Sequence, residues 1–264
     1  MKFVAITFDD GRADNYTTAF HIMKKYQIKG TLFVTTGFVD GTWQKNITWR
    51  SAGEAITIQQ LKELYRAGWE IGLHGDRHIT DRDDAKISRN KMNIWLEQQK
   101  EYGFSIPNSD AEPTELEAVK QLCYENEILK YIRTGRGRNT QNLTAKVLYG
   151  LYSVFGSQHA YNRFNAPSIN DLSRIDRTNI KSVVVRCGDN PKMISRFIRQ
   201  APDNSLVVLM LYSILDKTDA LYGADPWCWD KESFERLCAD ISDMERKNIT
   251  KTMTLEGALI SELD

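Results

Sequence analysis

No apolar run in the 264-residue sequence approaches the roughly 20 residues that span a membrane. Net charge is missing too: 35 Lys and Arg balance 35 Asp and Glu, which argues against a duplex nucleic-acid partner. Cysteine is scarce. Cys123, Cys187, Cys228 and Cys238 form no Cys-x-x-Cys pair and are too few to staple a chain this size, so reduced thiols are expected. The start shows no signal-peptide pattern, because Lys2 leads into a short strand and then two aspartates; a cytoplasmic protein is the expectation. Histidine is equally rare, with 4 in the chain, so the placement of each one is informative.

What is present is a regular alternation of strand-like and helix-like segments. Strands are expected at 2–8, 31–36, 69–74, 129–134, 182–187, 206–212 and near 249–252. Helices are expected over 14–26, from Thr57 to Gly68, over about 83–102, from Pro113, over about 231–247 and from Leu255. Thr57 and Gln60 have the spacing of a capping box, and Pro113 suits a first helical turn. The runs SVVVRC and LVVLMLY are continuously apolar, as in strands buried on both faces of a parallel sheet. Residues 140–180 show no legible pattern. With no composition break or internal repeat, the alternation predicts one α/β barrel-like domain over residues 1–264.

Two short stretches carry chemistry. The first strand ends in TFDDG, Thr7 to Gly11, which places two carboxylates side by side. Neighbouring carboxylates repel, which raises one pKa or calls for a nearby cation; the plainer alternative is an Asp-Gly turn. The third strand ends in HGDRH, His74 to His78, and two histidines four apart with one carboxylate make a common Zn²⁺ site. A barrel brings strand ends to one rim. A divalent cation held by one aspartate and two histidines would relieve the carboxylate pair and leave the other aspartate free as a base.

These stretches resemble the motifs of the NodB-homology polysaccharide deacetylases, carbohydrate esterase family 4. The first motif of that family is TFDDG, and the second, His-Ser/Thr-x-x-His, is represented by HGDRH. The resemblance implies a distorted (β/α) barrel with fewer than eight full repeats. It implies Asp9 as general base, Asp10, His74 and His78 as ligands of one divalent ion such as Zn²⁺, and removal of an N-acetyl group from an amino sugar. Arg133, in RTGRGRN, matches the arginine that orients the base, without the prolines of that motif. Gly75 stands where the family has Ser or Thr, and Asp189 is the nearest match to an Asp/Trp motif. The late strand that should end in Leu-His ends in Leu211, expected as a substrate contact, and Tyr212, so a phenol stands where the resemblance implies the acid that protonates the leaving amine.

Other residues admit a binding role or a plain one. Arg133, Arg136 and Arg138 around two glycines suit a phosphate group or a solvated basic loop. Trp227 and Trp229 suit a sugar-stacking platform or core packing, and Trp43 and Trp49 a substrate-side hairpin. His21 and His159 read as structural or exposed. The expected activity is hydrolysis of an N-acetyl or N-formyl group on an amino sugar or glycan precursor. The alternative is a weakened relative that binds a sugar through the same pocket.

Overall fold

The β-branched and aromatic run KFVAITF forms β1 (Lys2–Phe8) at the middle of a parallel sheet. The computed structural model describes residues 1–43, 48–98, 100–109, 111–125, 128–135 and 142–261. On one side of β1 lie β2 (Thr31–Val34), β3 (Glu70–Leu73), β4 (Tyr102–Ser105) and β5 (Leu129–Arg133), all parallel. On the other side, the short β6 (Ile169–Asp171) pairs antiparallel, and β7 (Val183–Val184) parallel, with the long β8 (Ser205–Leu211). A separate parallel pair joins β9 (Ser213–Leu215) to β10 (Cys228–Asp230), and β11 (Thr250–Thr252) adds to the start of β1.

The sheet curls into a distorted barrel. Its outer edge at β5 hydrogen-bonds to the segment leading into β7, through Ile132 N to Arg177 O, Ile180 N to Ile132 O and Thr134 N to Ile180 O. Of the run expected as one strand over 182–187, only Val183–Val184 forms β7, which pairs with β8, while the segment before it pairs with β5.

Helices cover the outside of the sheet, except the last, whose Leu255, Ala258 and Leu259 pack with Ala5 and Val208 in the barrel interior. A wide π-helical turn (Asn15–Phe20) runs into α1 (His21–Lys25), followed along the chain by α2 (Thr36–Val39) and α3 (Ile58–Arg66). The capping box of Thr57 and Gln60 opens α3 with both reciprocal bonds formed. The charged segment forms α4 (Arg82–Leu96), shorter than expected, because Glu97 adopts a left-handed conformation and frees the chain for β4. The chain continues through α5 (Pro113–Tyr124), α6 (Leu143–Ser153), α7 (Gln158–Asn165), α8 (Pro191–Gln200), α9 (Lys231–Arg246) and α10 (Leu255–Ile260). Within 140–180, unreadable as sequence, the described residues thus form α6, α7 and β6. No helix among the described residues is long and apolar enough to cross a membrane.

Strand alternation sorts the side chains into two layers. Val4, Ile6, Phe8, Leu32, Val34, Ile71, Leu73, Phe104, Val207, Leu209 and Leu211 pack with the helices. Ala5, Phe33, Tyr131, Leu206 and Val208 pack together in the barrel interior. Continuing the inner parity past those residues reaches Asp9, Ser105 and Arg133, and on β3 the sequence Glu70, Gly72, His74. The same parity that fills the barrel floor with apolar and aromatic groups delivers polar ones to its C-terminal rim.

Candidate active site

Asp9 has the inner parity of β1, and its backbone N–H is held by Leu211 O at 3.0 Å. Asp10 has the outer parity, but its φ of 76° turns the chain and brings its carboxylate back to the rim. Both carboxylates are buried, and each has its own guanidinium. Arg133 Nη2 contacts both oxygens of Asp9, with Oδ1 at 2.6 Å. Arg12 contacts Asp10 Oδ2 through Nε at 2.9 Å and through Nη2 at 2.8 Å. Charge compensation of the adjacent aspartates, assigned to a cation on sequence grounds, is thus already supplied by two buried arginines.

Asp10 Oδ1 faces the two histidines, 3.5 Å from His74 Nε2 and 3.6 Å from His78 Nε2. Ligand atoms of these three residues all lie within 4.8 Å of one another. His74 Nδ1 lies 2.8 Å from Ser105 O. A carbonyl only accepts, so Nδ1 carries a hydrogen and Nε2 is the nitrogen that faces Asp10. Oδ1 is buried and receives no hydrogen bond among the described residues. A buried carboxylate oxygen without a donor, between two imidazole nitrogens, fits a divalent cation as its missing partner.

The electrostatics agree. Burial alone would raise the Asp10 carboxyl, but Arg12 and then the two histidines outweigh it and hold the group well below the usual carboxylate range. Burial alone would lower His74, but Asp9 and Asp10 overcome it and raise the imidazole, marking a spot that attracts positive charge. His78 is pushed down to about 3 by burial and by His74, so it is a neutral donor at physiological pH.

The loop between the histidines is braced from outside. Gly75 has a φ of 77°, open to glycine at little cost. Asp84, buried in the first turn of α4, accepts from Asp76 N at 2.7 Å and Arg77 N at 3.1 Å. Asp76 is further tied by Thr36 Oγ1 at 2.7 Å and by Lys91 at 2.7 Å, which also reaches Asp40. The support that the resemblance would draw from a hydroxyl at position 75 comes here from a carboxylate nine residues later.

Aromatic side chains wall the rim. Trp49 packs edge-on against His78 with centroids 4.6 Å apart, and Trp43 lies 5.9 Å from the same ring. Tyr212, half-buried, sits with its ring 5.3 Å from the Arg12 guanidinium carbon and 5.1 Å from Trp227. Burial, and then the charges of Asp9 and Asp10, raise its phenol well above the ordinary value.

Two expected substrate contacts fall elsewhere. Trp229 is only 1% exposed in the core against Phe234, and its Nε1 donates to Asp189 O, so it offers no face to a sugar. Leu211 has the outer parity of β8 and packs in the helix-side core, away from the barrel interior. Asp189 accepts Arg186 N–H in the turn after β7. Arg136 and Arg138 lie outside the described residues, and His21 and His159 are exposed. Sequence reasoning missed Arg12, Ser105 and Asp84. Arg12 adjoins TFDDG, a position that could have drawn notice, but nothing local says that an arginine is buried.

The family profile described as "Polysaccharide deacetylase" matches residues 1–138, just over half of the chain. This protein is a member of the polysaccharide deacetylase family. Over 74 residues the family member is 36% identical to a poly-beta-1,6-N-acetyl-D-glucosamine N-deacetylase from Staphylococcus aureus, a match covering 28% of this chain and 23% of that protein. The matched stretch thus spans about a quarter of that relative's length. Among solved structures, the chain resembles a family 4 acetyl xylan esterase from Clostridium thermocellum in complex with cobalt. There the TM-score is 0.50 and identity 14%, covering 98% of this chain and 90% of the other. It also resembles a mutant, with restored activity, of a CE4 family pseudoenzyme from Bacillus anthracis, at TM-score 0.50 and 13% identity. That likeness covers 97% of this chain and 67% of the other. At such identities the structural likeness speaks to the fold.

Proposed function

We propose that this polysaccharide deacetylase family member hydrolyses the N-acetyl, or N-formyl, amide of an amino sugar or glycan precursor. Asp10, His74 and His78 would hold one divalent cation, zinc being the natural choice for a carboxylate and two imidazoles. The observation that carries the reading is Asp10 Oδ1, buried without a donor between two imidazole nitrogens, next to a second carboxylate on its own arginine. When bound, such a cation lowers the pKa of water and polarises an acyl oxygen.

The chain's own residues supply the rest. Asp9 accepts the proton of the attacking water, and Arg133 with Ser105 holds its carboxylate in place. His74 is kept in the Nδ1–H tautomer by Ser105 O. Trp43 and Trp49 beside His78, and Trp227 beside Tyr212, offer ring faces that suit a pyranose. Tyr212, with its ring 5.3 Å from the Arg12 guanidinium carbon and 5.1 Å from Trp227, would donate its O–H to the departing nitrogen.

Acetate release from N-acetylglucosamine oligomers tests the reading. Release is expected, lost with chelator, restored by Zn²⁺ or Co²⁺, and absent in His74→Ala/His78→Ala. Release that survives both chelation and the double substitution would remove the cation from the reaction. The second reading, a sugar-binding relative with little turnover, draws on the raised phenol at position 212. It would prevail if oligomers bind without any acetate or formate appearing.

A further inference from the structure

Arg12 is among the largest fully buried side chains in the protein. Its position differs from that of a surface ion pair in three respects. Nε and Nη2 both address one oxygen of Asp10, Oδ2, and leave Oδ1 to the histidines. Nη1 donates to Ser213 Oγ at 2.8 Å, Ser51 Oγ at 3.0 Å and Trp227 O at 3.1 Å, so three other chain segments fix the guanidinium. The plane is also flanked by Trp49 and Tyr212, with centroids 5.6 and 5.3 Å away. The anchors continue outward. Ser213 Oγ donates to Ser51 O at 2.8 Å, and Asp225 accepts from Ser51 Oγ at 2.6 Å and from Trp227 N at 2.8 Å.

We propose that Arg12 is a positioning residue for the Asp10–His74–His78 cluster. It clamps Asp10 Oδ2 so that Oδ1 alone is presented to a divalent cation, and it couples that geometry to the 225–227 segment carrying Trp227. The inference rests on the cation reading above. A guanidinium is suited to this work because its separate nitrogens engage one carboxylate oxygen and a second set of acceptors at once. A lysine keeps the charge but has a single nitrogen, which cannot hold Oδ2 and reach Ser51, Ser213 and Trp227 O together. Groups that fix a ligating carboxylate typically contribute ~10–100-fold to metal affinity.

The test is Co²⁺ titration of the full chain after chelator treatment, followed by visible absorption. Wild type should take up one Co²⁺ and His74→Ala/His78→Ala should not; failure of that comparison overturns the cation reading itself. Given that comparison, Arg12→Lys should bind Co²⁺ about 10–100-fold more weakly, with altered absorption. Wild-type affinity and spectrum in Arg12→Lys would show that charge alone matters and would overturn the proposal. So would weaker binding with an unchanged spectrum, which indicates loop packing. If Arg12→Lys does not fold by circular dichroism, Ser213→Ala decides. Losing one anchor of the fork should weaken Co²⁺ by about threefold, a fraction of the charge-assisted bond lost, and shift the spectrum. An unchanged spectrum there overturns the proposal.

Discussion

A Cβ placed on Gly75 would stand 2.7 Å from Asp84 Oδ2, the oxygen that holds the backbone N–H of Asp76. Glycine and carboxylate therefore depend on each other: the bare backbone lets α4 approach, and the carboxylate fixes the loop between His74 and His78. Restoring a serine at position 75 would not rebuild a brace. It would force a left-handed residue, at about 1–2 kcal/mol, and push against Asp84. Gly75→Ser should lower the thermal midpoint by several degrees and weaken cation binding. Asp84→Ala should do the same by a different route, since it strands two N–H groups at about 1–3 kcal/mol. A Gly75→Ser protein as stable as wild type, by thermal unfolding, would contradict this account.

Asp9 and Asp10 should separate cleanly by substitution. Asp9→Asn keeps the shape, the contact with Ser105 and the three candidate ligands. Cation uptake should persist while amide hydrolysis falls by ~10²–10⁴-fold, the range for loss of a general base. Isothermal titration with Zn²⁺ and acetate release measure the two halves. Full turnover in Asp9→Asn would take Asp9 out of the mechanism.

Tyr212 holds its proton tightly, since burial and the two aspartates raise its phenol. A proton donor nearer neutrality is a better match to the leaving amine. Tyr212→His should therefore increase kcat at pH 7 by at least about tenfold if the phenol is the acid. Tyr212→Phe should lower kcat. An unchanged rate in the phenylalanine variant would assign the acid to another group.

Asp14 accepts the N–H of Ile214 at 2.6 Å, and burial pushes its carboxyl up to about 6 despite that bond and Arg12. The folded pKa lies above the ordinary value of 3.8. Between roughly pH 4 and 6 the folded protein then binds more protons than the unfolded chain, so this group's contribution to stability declines as pH rises. Asp14→Asn retains an acceptor for Ile214 and removes the titration. Its stability relative to wild type, from urea unfolding at pH 4.5 and pH 7, should improve toward the higher pH. A difference that is flat with pH would show that Asp14 titrates normally.

Local sequence was enough to mark the strand ends of the site. TFDDG and HGDRH each keep their chemistry within five residues, and short apolar strands alternating with helices are recognisable from periodicity. Barrel topology then places such strand ends on one rim, so two aspartates and two histidines could be grouped before any coordinates. The choice of Asp10 as the ligand and the distorted form of the barrel came from the family resemblance of the two motifs. Beyond this, local pattern stops being informative. The four-residue strand YGFS went unexpected, with the charged helix drawn up to about 102 and Ser105 assigned to no element, because no period emerges from four positions. Leu211 was drawn from the Leu-His motif of the resemblance, and Trp229 was open between a sugar platform and core packing. Alternation along β8, and the packing of β10 against α9, placed both in the core.

Tertiary structure alone decided which charges meet. Arg12 and Arg133 are 121 positions apart in the chain, counted as 133 less 12, yet each neutralises one of two adjacent aspartates. Asp84 braces a loop from the next helix, and Ser213, Ser51 and Trp227 converge on one guanidinium from three segments. The physical reason is range. Backbone preference and hydrophobic period act over a few residues and so can be read from the chain, whereas burial and ion pairing depend on how strands far apart in sequence are brought side by side.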